Sequence, residues 1–421
     1  MRTSGKRPPR ELERLRRRTV WALVGSVALG STGYIGAVTV ATIVARDLAG
    51  SAELSGAPGA AVVLGAALGA VVLTFVMGRR GRRVGLATGY LTGVVGGLLA
   101  TVAVVAGSLG LLLAGTFLVG FGNAANQLSR YAAADLYPAK RRASAIGVVV
   151  WGSTIGAVIG PNLVAPAGAV AKSLGLPVLA GPYLVPILFV GAALILCLVA
   201  LRPDPFDLAD DEVRSLDAGG RTARVSLASI LARPNVPVAL VALVTGQVVM
   251  VLIMTMTPLH MTDHGHDLVA VGLVISGHTF GMFGLSPISG RLTDRYGSVP
   301  VIVVGFIVTG FAAILAAAAP PDGGALLFLA LFLLGYGWNL GFVAGSVLLT
   351  TGLSLEERTR LQGASEALIW SSAAAASLGS GVVVAAAGYA TLGLLGAATV
   401  IVPVALVLAR RDALRPLQAP G

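Results

Sequence analysis

Twelve apolar stretches, each about as long as a bilayer is thick, run through this chain, and its cations sit almost wholly on alternate connectors. Threading the stretches back and forth places twenty-eight of the thirty Lys and Arg residues on one side. They are the eight cations from Arg2 to Arg18, then Arg79, Arg80, Arg82, Arg83, Arg130, Lys140, Arg141 and Arg142. Arg202, Arg214, Arg221, Arg224 and Arg233 follow on a long middle connector. Arg291, Arg295, Arg358, Arg360, Arg410, Arg411 and Arg415 complete the set. Only Arg46 and Lys172 fall opposite. Positive connectors stay cytoplasmic during insertion, so the asymmetry implies an even number of spans with both termini in the cytoplasm.

Composition agrees. Of 421 residues, 56% are hydrophobic and 12% charged, whereas a soluble domain is nearer a quarter charged. The expected class is an all-α polytopic protein of the cell (plasma or inner) membrane. A net charge of +11 does not point to nucleic acid, because the cations are scattered among short connectors beside apolar spans. The N-terminal run KRPPRELERLRRR is dense enough to lie on anionic lipid as well. The single cysteine, Cys197, excludes an intramolecular disulfide, and no metal site is expected. The first apolar stretch lacks a small-residue cleavage site and reads as a retained anchor.

Spans are expected at 20–45, 58–77, 85–107, 110–134, 143–170, 182–201, 237–260, 268–290, 299–319, 324–350, 361–387 and 389–409. This divides the chain into a basic tail (1–19), a six-helix bundle (20–201), a polar loop (202–236), a second six-helix bundle (237–409) and a C-terminal tail (410–421). The stretch SLASILARP in the loop is suited to a short interfacial helix. The bundles resemble one another at one offset. GRRGRRVG at 78–85 matches DRYGSVP at 294–300, RRASAIG at 141–147 matches ERTRLQG at 357–363, and Asn123 matches Asn339, each shifted by 216 residues. The expected fold is therefore two pseudo-symmetric six-helix bundles. Such repeats are common in transporters, with substrate held between them near the midplane.

Polar groups inside lipid are costly, so they mark a cavity or a partner. Asn123, Asn126, Gln127 and Arg130 form one stripe of span four, suited to substrate hydrogen bonds, a water path or interhelical contacts. Arg130 has snorkelling or pairing with Asp135 as alternatives. Arg358, Gln362 and Glu366 share a face of span eleven. Glu366 is the acidic residue set well inside a span, and it is a candidate for proton coupling, or else for a fixed ion pair with Arg358 or Arg360. His278, near the middle of span eight, is the second coupling candidate, with an interhelical hydrogen bond as the alternative. Met254, in a Met-rich span seven, suits a lipophilic substrate or plain packing. Trp338, Asn339 and Trp370 can flank a flat substrate. His260, Asp263, His264, His266 and Asp267 cluster at the outer end of spans seven and eight, a setting for response to external pH or for solvation.

The segment GRLTDRYG at 290–297 resembles the G-x-L-x-D-R-x-G loop of the major facilitator superfamily, and twelve spans with a middle loop extend that resemblance over the whole chain. It implies that Gly290, Asp294, Arg295 and Gly297 form a cytoplasmic gate facing Arg141 and Arg142 at the start of span five. The N-terminal copy departs from the pattern: Gly78 stands where the family has Asp, and Thr74 where it has Gly. Span five carries GSTIGAVIGP at 152–161, which resembles the G-x-x-x-G-P motif of proton-exchanging exporters through Gly152, Gly156, Gly160 and Pro161. The family's span-four arginine is replaced by Thr116. The resemblance implies a secondary transporter working by alternating access, with efflux of a small, partly apolar compound in exchange for protons. Nutrient uptake is the rival reading; a receptor, channel or membrane-embedded enzyme is more remote. Small-molecule substrate, protons and the bilayer are the expected partners of a chain working as a monomer. No cofactor is expected, and no G-x-x-x-x-G-K-[ST] loop is present to bind ATP.

Overall fold

The structure is a computed structural model that describes residues 8–49, 57–209, 226–257, 260–261, 264–266, 268–320 and 324–414. Among the described residues every expected span is largely helical. Span one is α1 (Pro9–Thr39), continued by α2 (Ala41–Ala49). Spans two to four are α3 (Ala57–Arg80), α4 (Arg82–Ala106) and α5 (Leu109–Ala134). Span five is α6 (Ala139–Asn162) with α7 (Val164–Ser173), and span six is α8 (Gly181–Ala200). After the short α9 (Leu227–Leu231), span seven is α10 (Asn235–Met254). Span eight is α11 (Leu268–Phe283) with α12 (Ser286–Tyr296). Spans nine to eleven are α13 (Ser298–Ala318), α14 (Gly324–Thr350) and α15 (Leu355–Ala387). Span twelve is α16 (Tyr389–Thr399) with α17 (Ile401–Ala409).

Proline explains the breaks in spans five and eight. Pro161 sits in the last turn of α6, and the chain resumes as α7 two residues on. Pro287 opens α12 and has no N–H to return to Phe283, so span eight divides there. With span eight divided, eleven helices among the described residues, rather than twelve, are long and apolar enough to cross a membrane. Helix starts are chemically marked. Ser354 and Glu357 form a reciprocal capping box at the head of α15.

Two polar segments outside the expected spans carry helical structure. The basic tail is helical from Pro9, because Pro at the first turn and Glu11 beside the helix N-terminus both favour initiation. Its Arg16 is buried and donates to the Leu208 carbonyl at 3.1 Å, so this residue is held by protein rather than by lipid. The middle loop begins as a 3-10 turn, Pro205–Leu208, docked on the first bundle. Residues 210–225 of that loop lie outside the described residues. In α9, Leu227 and Leu231 are exposed one turn apart while Ile230 is buried, as suits an interfacial helix. Of the outer cluster, Asp263 and Asp267 lie outside the described residues, and His260 stacks on Tyr389 at 4.2 Å.

The bundles meet through two crossings at the basic end, α3 on α15 and α6 on α11 and α12. The second is a backbone approach. A Cβ on Gly147 would overlap the Ser286 carbonyl, and one on Gly290 would lie 2.7 Å from the Ala143 carbonyl. At the first crossing Gly363 makes room for Thr74. Large apolar side chains such as Leu64, Phe75 and Leu378 face outward, forming the surface a hydrocarbon layer would cover.

Candidate functional site: a layered polar interface between the bundles

Four layers run inward from the basic end. The outermost is Asp294, at the end of α12. Its carboxylate accepts the backbone N–H groups of Ala143 at 3.0 Å and Ser144 at 2.9 Å, and the Ser144 hydroxyl. Those donors belong to the first turns of α6, where unpaired N–H groups and the helix dipole favour an anion. Asp294 thus faces the start of span five through backbone donors. Arg141 pairs instead with Glu13 at 3.1 Å on the exposed surface, and Arg142 is buried. Arg295 lies over the Tyr296 ring at 5.3 Å, and Gly297 takes a φ of +86° that closes α12.

In the second layer sequence reasoning found Gln362 but not the ion pairs around it. Asp135, fully buried at the end of α5, accepts from Arg82 Nη2 at 2.7 Å and Arg358 Nη1 at 3.5 Å. Arg82 also donates to Gln362 Oε1 at 3.0 Å. Arg82 and Asp135 come from the first bundle, Arg358 and Gln362 from the second.

The third layer is the ion pair of Arg130 with Glu366, each about 2% exposed. Arg130 also donates to Ser346 Oγ at 3.3 Å, Gln127 Oε1 at 3.1 Å and the Tyr131 hydroxyl at 3.0 Å, and it lies 4.1 Å from the Phe342 ring centre. The carboxylate of Glu366 therefore pairs across the bundle interface, not along its own helix. Arg358 is eight residues back on α15, roughly 12 Å along the axis, beyond reach of Glu366. Arg130 and Asp135 are five residues apart, roughly 140° around α5, so they point to different neighbours.

The fourth layer is aromatic. Trp338 stacks on Phe342 at 4.5 Å, meets Phe283 edge-on at 6.0 Å and donates to Gln247 Oε1 at 3.0 Å. Trp370 and Met254 are half-buried on spans eleven and seven.

Other candidates sit inside one bundle. Asn339 is fully buried, donating to the Met282 carbonyl and Ser286 Oγ, both at 2.7 Å, and accepting from Ser289 at 2.5 Å. It fastens span ten to span eight. His278 donates from Nδ1 to the Leu331 carbonyl at 2.8 Å, fastening the same two spans. Asn126 donates to Asn123 and accepts from Tyr90, both at 3.1 Å, beside a cavity of about 10 Å³ that has room for one water. Gly152, Gly156 and Gly160 seat α6 against Val24, Ser31 and Ile35 of α1, and Pro161 ends that contact.

Sequence spacing carried one unused clue. Ser346 is the position 216 residues beyond Arg130, the offset already seen between the halves. Asp135, Arg82 and Phe342 carried no such mark.

Known proteins agree with this architecture. A family model described as Major Facilitator Superfamily matches residues 21–276 and 238–421. The uncharacterized MFS-type transporter YddS of Bacillus subtilis (strain 168) is 36% identical over 411 residues, covering 96% of this chain and 93% of that protein. The riboflavin transporter RfnT of Brucella anthropi is 30% identical over 409 residues, covering 94% of this chain and 97% of that protein. The solved structure of the proton:xylose symporter XylE superposes with a TM-score of 0.74 at 15% identity, covering 93% of this chain and 95% of that one, a likeness of fold. With its two six-helix bundles and these relatives, the chain belongs to the Major Facilitator Superfamily.

Proposed function

We propose that this secondary transporter works by alternating access and couples substrate movement to protons through Glu366. The observation that carries the reading is the buried Arg130–Glu366 pair, which joins span four of one bundle to span eleven of the other. A proton on Glu366 removes the attraction and leaves Arg130 buried without its counter-ion. Buried charge of that kind is costly, so the protonated interface favours separation and wetting. In this reading the basic end is the cytoplasmic end, and Asp294, Asp135 and Glu366 hold it closed. Substrate then enters the aromatic layer from the opposite side or leaves by it.

The cargo is a small, partly apolar organic compound, and the direction is efflux by exchange with protons. The glycine–proline segment of span five and the scarcity of charge in the spans support that direction. Uptake is the second reading, and the relative named a riboflavin transporter favours a flat heteroaromatic cargo for it. Proteoliposomes separate the two. Riboflavin and a panel of lipophilic drugs are offered under imposed pH gradients of either sign, with wild type and Glu366→Gln. Exchange that depends on the gradient in wild type and not in Glu366→Gln supports the coupling assignment. Gradient-driven transport that survives Glu366→Gln removes it.

A further inference from the structure

The loop after span two has lost the carboxylate that its C-terminal counterpart uses, since Gly78 stands where Asp294 stands. Yet Arg82, at the head of span three, still reaches across the interface to Gln362 and shares Asp135 with Arg358. Something must hold the head of α4 in place. Its N-cap residue is Gly81, which has no side chain to accept the first N–H groups of the helix. A carboxylate from 122 residues further along supplies the acceptor. Asp204, in the middle loop, takes the Arg82 N–H at 3.2 Å on one oxygen and the Arg83 N–H at 3.0 Å on the other. It also accepts from its own turn at Phe206 N, 2.9 Å away.

The seat is built for it. Gly81 has a φ of +94°, and a Cβ there would lie 2.5 Å from the Asp204 carboxylate. The loop segment is clamped on its other side, where Arg16 donates to the Leu208 carbonyl and Leu208 is fully buried. Phe206 lies under the Arg82 guanidinium at 5.8 Å.

We infer that Asp204 is a positioning residue of the basic-end gate. It caps span three from the middle loop and so sets Arg82 where its guanidinium closes on Asp135 and Gln362. The loop is then a strap that replaces the missing carboxylate of the first bundle. This rests on the reading that the basic end opens and closes during transport.

The test needs no identified substrate. In a Cys197→Ala background, Thr74→Cys places a thiol in the crossing of span two with span eleven, against Gly363. A membrane-impermeant maleimide is applied to inside-out vesicles, and the rate of modification reports opening. Asp204→Ala is expected to raise the rate about tenfold, the effect of losing a helix cap carried to the gate. Arg82→Gln alone raises it as well. Adding Asp204→Ala to Arg82→Gln raises it no further, because both changes remove one contact. If Asp204→Ala does not fold, Asp204→Asn takes its place in the same cycle. An unchanged rate in the single variant, or rates that multiply in the double variant, overturns the inference. Asp294→Ala is the control for the gate itself. A rate that moves in Asp294→Ala and not in Asp204→Ala sinks the strap alone, whereas a rate that moves in neither sinks the gate and the strap together.

Discussion

Arg130 donates through Nε to the hydroxyl of Ser346, and these two residues are each other's mates under the repeat of 216 residues. The pseudo-twofold axis therefore passes through a hydrogen bond. One copy of the repeat carries a cation at that place and the other a small hydroxyl. The carboxylate that answers the cation, Glu366, likewise has an apolar mate, Val150. Duplication built a symmetric frame, and an unsymmetric ion pair was set within it.

Glu366→Gln leaves Arg130 buried without its counter-ion. Removing one member of a buried pair typically costs about 3–5 kcal/mol. The variant is expected to melt at lower temperature in detergent, and the double variant Arg130→Gln with Glu366→Gln to recover most of the loss. A double variant that melts no higher than Glu366→Gln would show that the pair is not the coupled unit described.

Asp294→Ala removes the acceptor for three donors at the head of span five. Charge-assisted bonds of this kind contribute about 1–3 kcal/mol, roughly 5-fold to 150-fold in the closed-to-open ratio. Charge reversal by Asp294→Lys is expected to impair turnover more than binding, seen as a fall in kcat with KM little changed. Equal turnover in wild type and variant would remove the gate role.

Gly147→Val tests the backbone crossing. The added side chain meets the Ser286 carbonyl, which cannot swing aside as a side chain can. The basic end should stay open, with transport lost and each bundle still folded, as read by retained helical circular dichroism and monodisperse elution. Normal transport in this variant would place the crossing elsewhere in the cycle.

Asn339→Ala separates structure from cargo binding. Its amide holds three partners inside one bundle, and leaving them unpaired costs about 1–3 kcal/mol. A lower melting temperature with unchanged substrate KM is expected. A large rise in KM without loss of stability would return Asn339 to the cavity wall.

These residues also show what a one-dimensional reading can reach. The spans were legible because a bilayer imposes length and apolarity on each one separately, and the repeat was legible because loop chemistry recurs at a fixed shift. Glu366 stood out as a carboxyl deep in a span. Arg130 stood out too, on span four, but that the two are partners did not, because they lie 236 positions apart on helices of different bundles. Asn123 and Asn339 looked equivalent by sequence, yet each is satisfied within its own bundle by neighbours that periodicity cannot supply. Asp204 was hidden for a simpler reason. It caps a helix whose own cap position is glycine, so the donor and acceptor halves of the motif lie 122 residues apart.

The most direct test reads the distance between the bundles at the basic end. Nitroxides are attached through Arg80→Cys and Glu356→Cys, both exposed at the ends of spans two and eleven, in the Cys197→Ala background. Pulsed dipolar spectroscopy in nanodiscs then compares the parent with Glu366→Gln. The parent is expected to show mainly the short separation of the closed interface, and Glu366→Gln a marked shift of population to a longer one. Superimposable distance distributions for the two would contradict the claim that Glu366 holds the bundles together.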